Sequence, residues 1–208
     1  MKIIFATGNA GKLREIKALF EDLGLEILTM KEAGFDPEID ENGETFRENA
    51  LIKARSLGVL EDAIVMGEDS GLEIDALLGL PGIYSARFLG EMPYGVTNAF
   101  LCKTLQKVPV EERTARFVAT LAAVFPDGTE EVTEGVIEGR IADEPAGEEG
   151  FGYDPLFYVP ELGYTTAQVP MEKKSEISHR GQALRKMKPI VIQWLNAHEG
   201  REKADKRA

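Results

Sequence analysis

Two long runs of strand-forming residues, Thr114 to Phe125 and Glu130 to Ile141, flank the turn Pro126-Asp127-Gly128 and constrain the fold more than any other feature. The first is β-branched and aromatic and the second alternates, so together they predict an antiparallel hairpin. Upstream the signals alternate instead. Ile3 to Ala6 reads as a buried strand, Leu13, Ile16, Leu19 and Phe20 recur at helical spacing up to Gly24, and Leu25 to Thr29 reads as a second strand. A chain that opens strand, helix, strand and then turns to consecutive strands is mixed α/β, with a central twisted mixed β-sheet flanked by helices.

Thr45 and Glu48 form a capping-box pattern opening a helix through about Leu57, with Phe46, Ala50, Lys53 and Leu57 on its core-facing stripe. A strand is expected at Ala63 to Met66, a separate alternating one at Leu72 to Leu77, and a helix from about Gly95 to Leu105. The last helix should start after Ser178 and run past Trp194, kinked at Pro189. Glu144 to Gly150 reads as a mobile loop. With no repeat, linker or low-complexity tract, residues 1–198 form one domain, and the charged, aperiodic residues 199–208 form a tail expected to fray.

A formal net charge of −12 over 208 residues argues against broad nucleic-acid or anionic-membrane binding, so an anionic ligand must be met by a local cluster of Lys and Arg. Cys102 is the single cysteine, which excludes an intramolecular disulfide and a thiolate zinc site. Met1 leads directly into an apolar strand without a leader pattern or membrane-length segment, and the reading is cytoplasmic.

Gly67-Glu68-Asp69-Ser70-Gly71-Leu72 reads as a glycine-flanked turn with two adjacent carboxylates, suited to a divalent cation or else simply solvated. Thr7-Gly8-Asn9-Ala10-Gly11-Lys12 lies between a strand and a helix, where glycines, a helix N-terminus and a lysine favour phosphate. It is no Walker A loop, because Leu13 follows the lysine. Lys53 either snorkels outward or meets an anion, and its helix follows a second acidic turn, Asp40 to Glu44. Glu149 to Pro155 offers aromatics between glycines, for stacking on a planar ring or for packing. Glu172 to Gly181 gathers Lys174, His179 and Arg180 around a helix start, where an arginine is unfavourable without an anion or strong acceptor.

These segments, with Pro81-Gly82-Ile83-Tyr84-Ser85-Ala86-Arg87, occur in the order found in the inosine triphosphate pyrophosphatases, the Ham1 family, and the chain resembles that family over nearly its whole length. The resemblance implies two lobes with the active-site cleft between them, and hydrolysis of noncanonical purine nucleoside triphosphates such as ITP, dITP and XTP. It also implies release of pyrophosphate, dependence on Mg²⁺ and a homodimer. Carried over by position, Thr7, Gly8, Asn9, Ala10, Gly11 and Lys12 form the triphosphate loop, beside which Lys53, from its place on the helix after the acidic turn, is expected to hold phosphate. Glu41 and Asp69 bind metal, Asp69 is the proton acceptor, and Ser70 contacts substrate. Phe151 stacks on the base, Gly152, Tyr153 and Asp154 shape that wall, and Lys174, His179 and Arg180 complete the pocket. Arg180 and a protonated His179 would donate to the 6-oxo group that distinguishes these purines from adenine. The chain departs from a frequent family form at Glu68, where many members carry a second aspartate.

Overall fold

The computed structural model describes residues 1–7, 10–90 and 92–205, and of residues 10, 171, 172 and 199–205 the backbone only. One seven-stranded mixed sheet organises the chain. Strand β1 (Lys2–Ala6) leads to α1 (Ala10–Phe20), β2 (Glu26–Thr29), α2 (Phe46–Arg55) and β3 (Ala63–Ile74). Then come α3 (Tyr94–Leu105), β4 (Thr114–Val124), β5 (Glu130–Ile141), β6 (Phe157–Val159), β7 (Tyr164–Thr165), α4 (Met171–Ile177) and α5 (His179–Asp205). The strand order is β2-β1-β3-β4-β5-β6-β7; β1 pairs parallel with β2 and β3, and every later pairing is antiparallel. The expected hairpin is β4–β5, in register from Thr114↔Arg140 to Val124↔Glu130.

Three clusters of buried apolar side chains divide the molecule. Ile16 and Phe20 of α1 and Ala183, Leu184, Met187 and Val191 of α5 cover one face of β1, β3 and β4 through Phe5, Met66 and Leu121. Ala50 and Ala54 of α2 cover the opposite face against Ala122 and Val124. The far halves of β3, β4 and β5 pack with α3 and β6 around Leu72, Leu101, Phe117 and Phe157. The long central strands therefore join two lobes, each burying large side chains worth about 1.5–3 kcal/mol apiece.

Helix α2 begins at Thr45, whose hydroxyl accepts from the Glu48 amide at 3.1 Å, while the Glu48 carboxylate reaches back to the Glu44 amide. Ser178 caps α5 by accepting from the Gly181 amide at 3.0 Å, and Pro189 lies inside that helix. The separate short helix α4 ahead of Ser178 is not evident in the sequence pattern. The Glu144 to Gly150 segment, read as mobile, is anchored: Ala146 donates to the Pro155 carbonyl, Glu149 to that of Ala167, and Thr165 Oγ1 to that of Ala146.

The largest difference from the sequence reading is β3. Ala63 to Ile74 is one continuous strand through Gly67 to Gly71, and the expected second strand ends at Ile74, with Asp75–Leu77 forming a 3₁₀ turn. The glycines misled because they answer to packing rather than to a turn. A Cβ on Gly67 would strike the backbone of α2 at Ala50 and Ala54, and one on Gly71 would strike the Gly82 carbonyl and Ser85 Oγ. Glycine lets a helix and a 3₁₀ segment lie directly on the strand.

Candidate active site

Strand β1 stops at Ala6, opposite Gly67, whereas β3 continues to Ile74 with β4 on its other side. The crevice beyond the carboxyl end of β1 is the place where open α/β sheets bind ligands. A cavity of about 330 Å³ opens there, lined by both lobes.

Successive strand side chains point to opposite faces. Glu68 and Asp69 are therefore not neighbours in one acidic turn; they straddle the sheet. Asp69 faces α2. Its Oδ1 accepts from Lys53 Nζ at 2.9 Å and its Oδ2 from Asn49 Nδ2 at 3.2 Å. Lys53 also meets Glu41 Oε2 at 2.8 Å and the Glu68 carbonyl at 3.2 Å, and its side chain is only 10% exposed. It does not snorkel. Burial would lower the Lys53 pKa, but Asp69 and Glu41 outweigh it and raise the value, so the ammonium stays charged. Asn49 also accepts from the Gly43 amide at 2.9 Å, which ties the Asp40 to Glu44 segment to the same helix.

Glu68 faces α1 and α5. Its Oε2 accepts from Arg180 Nε at 2.9 Å, and its Oε1 lies 3.5 Å from Lys12 Nζ. Arg180 Nη1 donates to Glu15 Oε2 at 2.8 Å, and Nη2 to Ser70 Oγ at 3.3 Å. Burial would raise the Glu68 pKa, yet the charges of Arg180 and Lys12 hold it well below the usual carboxylate range. Burial lowers the pKa of Lys12, and Glu68 offsets this only in part. Glu15 was missed in the sequence. The available signal was a carboxylate beside Ile16 on the core side of α1, one turn beyond Lys12.

The third wall comes from the Gly150 to Asp154 loop and the α4–α5 junction. Asp154 is an organiser here: Oδ2 accepts from Lys174 Nζ at 2.6 Å and from the Phe151 amide at 2.7 Å, and Oδ1 accepts from Thr166 Oγ1 at 2.8 Å. That pins the loop so that the Phe151 ring, 38% exposed, lies 5.1 Å from Lys174 Nζ and 5.6 Å from Arg180 Cζ. Gly152 takes a left-handed φ of 70° opposite Tyr94, and Asn98 donates to its carbonyl at 3.1 Å. Tyr153 is buried and donates its hydroxyl to the Ser85 carbonyl.

His179 stacks on Phe117 with ring centroids 4.9 Å apart, and its Nδ1 is buried without a hydrogen-bond partner among the described residues. Burial, reinforced by Arg180, pushes its pKa well below the ordinary histidine value. The expected protonated donor is thus corrected. His179 is a neutral imidazole, with one ring nitrogen able to donate and one to accept.

Thr7, Lys12, Lys53, Ser70, Phe151, Gly152, Tyr153, Asp154, Lys174, His179, Arg180, Glu41 and Asp69 all line the one cavity. Gly11 lies in the first turn of α1; Gly8 and Asn9 fall outside the described residues, as does the side chain of Ala10. Glu41 and Asp69 converge on one ammonium and present oxygen donors of the kind a hard dication takes, together with phosphate oxygens. Among the described residues no three His, Cys, Asp or Glu side chains are grouped to hold a metal by themselves. Any cation held there would need oxygens from substrate or water. No helix among the described residues is long and apolar enough to cross a membrane.

The chain is similar to known proteins over nearly its whole length. The chain is 47% identical over 196 residues to a dITP/XTP pyrophosphatase of Thermoanaerobacter sp. (strain X514), covering 94% of this chain and 98% of that protein. It is 43% identical over 197 residues to the Bacillus cereus dITP/XTP pyrophosphatase, covering 93% and 96%. Among solved structures, the Ham1 protein of Staphylococcus aureus superposes with a TM-score of 0.81 at 37% identity, covering 93% of this chain and 99% of that one. A HAM1 protein from Coxiella burnetii gives 0.84 at 36% identity, with the same coverage. Residues 3–190 match the Ham1 family, and the chain belongs to it.

Proposed function

We propose that this protein hydrolyses noncanonical purine nucleoside triphosphates (ITP, dITP and XTP) to the monophosphate and pyrophosphate, clearing them from the nucleotide pool. The observation that carries the reading is that the joined cluster Asp69, Glu41 and Lys53 lines the same cavity as Phe151, Lys174, His179 and Arg180. The first group suits a phosphate chain and the second a purine with oxygen substituents. The names of the close relatives point the same way.

Mg²⁺, held by Glu41 and Asp69, would supply positive charge at the phosphates as the bond to the leaving pyrophosphate breaks. Lys53, kept charged between the two carboxylates, orients them and adds its own charge toward the phosphates. Asp69 is fixed by Lys53 on one oxygen and Asn49 on the other, and it takes the proton from the water that attacks the α-phosphorus. Thr7 and Gly11 contribute amides and Lys12, in the first turn of α1, an ammonium to the phosphate chain.

At the base end, Phe151 stacks on the purine. A guanidinium has five N–H groups, and Arg180 commits donors to Glu68, Glu15 and Ser70, leaving others for the substrate. A 6-oxo purine accepts from such donors, whereas the adenine amino group leaves them unpaired at a cost of about 1–3 kcal/mol each.

The active form is a cytoplasmic homodimer. Leu78, Leu80 and Tyr84 lie in one short exposed stretch, and Val96 and Phe100 are one turn apart on α3, which is more apolar surface than isolated exposed residues provide. Pyrophosphate release from ITP, with Mg²⁺ and with chelator, tests the reading. Turnover with the metal and none with chelator is expected, and binding of ITP without hydrolysis would refute it.

A further inference from the structure

We infer that Arg87 grips the pyrophosphate portion of the substrate, an assignment that rests on the pyrophosphatase reading of the same cavity. Five cationic side chains line the cavity: Lys12, Lys53, Arg87, Lys174 and Arg180. Four of them already face carboxylates. Lys12 lies 3.5 Å from Glu68, Lys53 2.8 Å from Glu41 and 2.9 Å from Asp69, Lys174 2.6 Å from Asp154, and Arg180 2.8 Å from Glu15 and 2.9 Å from Glu68. Their charges are largely cancelled within the protein. Arg87 is the lining cation that meets no carboxylate among the described residues, and its guanidinium lies over the Tyr84 ring, 5.4 Å from the centroid.

The element that carries Arg87 is fastened with unusual care for an exposed residue. The 3₁₀ segment Gly82–Arg87 lies against β3 at Gly71, where no Cβ fits. Ser85 Oγ accepts from the Leu72 amide at 2.9 Å and donates to the Gly82 carbonyl at 2.6 Å, and Tyr153 donates its hydroxyl to the Ser85 carbonyl at 2.7 Å. Arg87 is thereby set at a fixed position relative to Ser70 and Asp69, one and two residues before Gly71 on the same strand. A rigid base under an exposed guanidinium limits the ordering cost when an anion binds.

Which part of the substrate it meets follows from charge and access. The base is uncharged and falls to the buried groups around Phe151. The phosphate chain carries the charge, its terminal part must reach solvent to leave, and Arg87 is the exposed one of the five lining cations. A planar fork of N–H donors suits phosphate oxygens in bidentate fashion better than a point charge does.

Calorimetric binding of inorganic pyrophosphate and of IMP, each with Mg²⁺, to the wild-type protein, R87A and R87K tests the assignment without requiring turnover. Removing one charge-assisted contact should weaken pyrophosphate binding about tenfold in R87A, with a smaller loss in R87K. IMP affinity and thermal stability should be unchanged in both. Equal pyrophosphate affinity in wild type and R87A, an equal loss for IMP, or a wild-type protein that binds no pyrophosphate would overturn it. Failure of the wild-type protein to hydrolyse ITP would instead refute the pyrophosphatase reading.

Discussion

Asp69 spends both carboxylate oxygens on fixed donors, Lys53 and Asn49, so its position is set before any substrate arrives. Asp69→Asn keeps the size and much of the hydrogen bonding while removing the charge and the proton acceptor. Turnover of ITP should fall by at least about 10²–10⁴-fold, the share attributable to proton transfer alone, with the melting temperature nearly retained. Near wild-type kcat would exclude Asp69 as the acceptor. Glu15 works one step back from the substrate. It is buried, it pairs with Arg180, and it thereby links α1 to α5. Glu15→Gln should raise the KM for ITP severalfold and leave kcat closer to wild type, because the change loosens Arg180 without touching Asp69. A kcat loss with unchanged KM would place Glu15 elsewhere in the reaction.

At the level of elements, the hairpin, the opening strand–helix–strand unit and the caps at Thr45 and Ser178 were legible because each is written in local periodicity or capping chemistry. Strand β3 was not. Gly67 and Gly71 interrupt its pattern for a reason that lies in α2 and the Gly82–Arg87 segment, far along the chain, and no local rule reports that distance. Misreading the strand as a turn also put Glu68 and Asp69 side by side, when alternation sends them to opposite faces with separate partners. The carboxylates and lysines of the site were legible by type, and their pairing was not. Gly67→Val tests the packing explanation. A β-branched side chain there must push α2 off the sheet, so urea unfolding should show a loss of about 1–3 kcal/mol or more, with activity lost as Lys53 and Asn49 move. Unchanged stability would mean that the strand tolerates a side chain at that point.

Across the whole molecule the lobes meet at buried charged groups, and this shapes the response to pH. His179 titrates well below its ordinary value of 6.5 in the folded protein, so the unfolded chain binds the extra proton first as pH falls. Its neutral form therefore supports the fold fully above about pH 6.5, and that support is lost progressively below it, at up to about 1.4 kcal/mol per pH unit. Glu68 is depressed in the opposite chemical sense, as an acid held ionised, and its contribution is lost only below the ordinary glutamate range. Between pH 7.5 and 5.5 the wild-type protein should lose stability and His179→Gln should lose less. Parallel pH profiles for the two would remove His179 from the account.

The central claim is that one cavity reads the purine at its Phe151 end and cleaves the phosphate chain at its Asp69 end. The most direct measurement is the product spectrum and kcat/KM of the purified protein with Mg²⁺ on ITP, dITP, XTP, GTP and ATP. The account predicts equimolar nucleoside monophosphate and pyrophosphate from ITP, dITP and XTP, with ATP poorer by about 10⁴-fold, as expected where buried donors would be left unpaired. Release of orthophosphate with the nucleoside diphosphate, or equal rates on ATP and ITP, would contradict it.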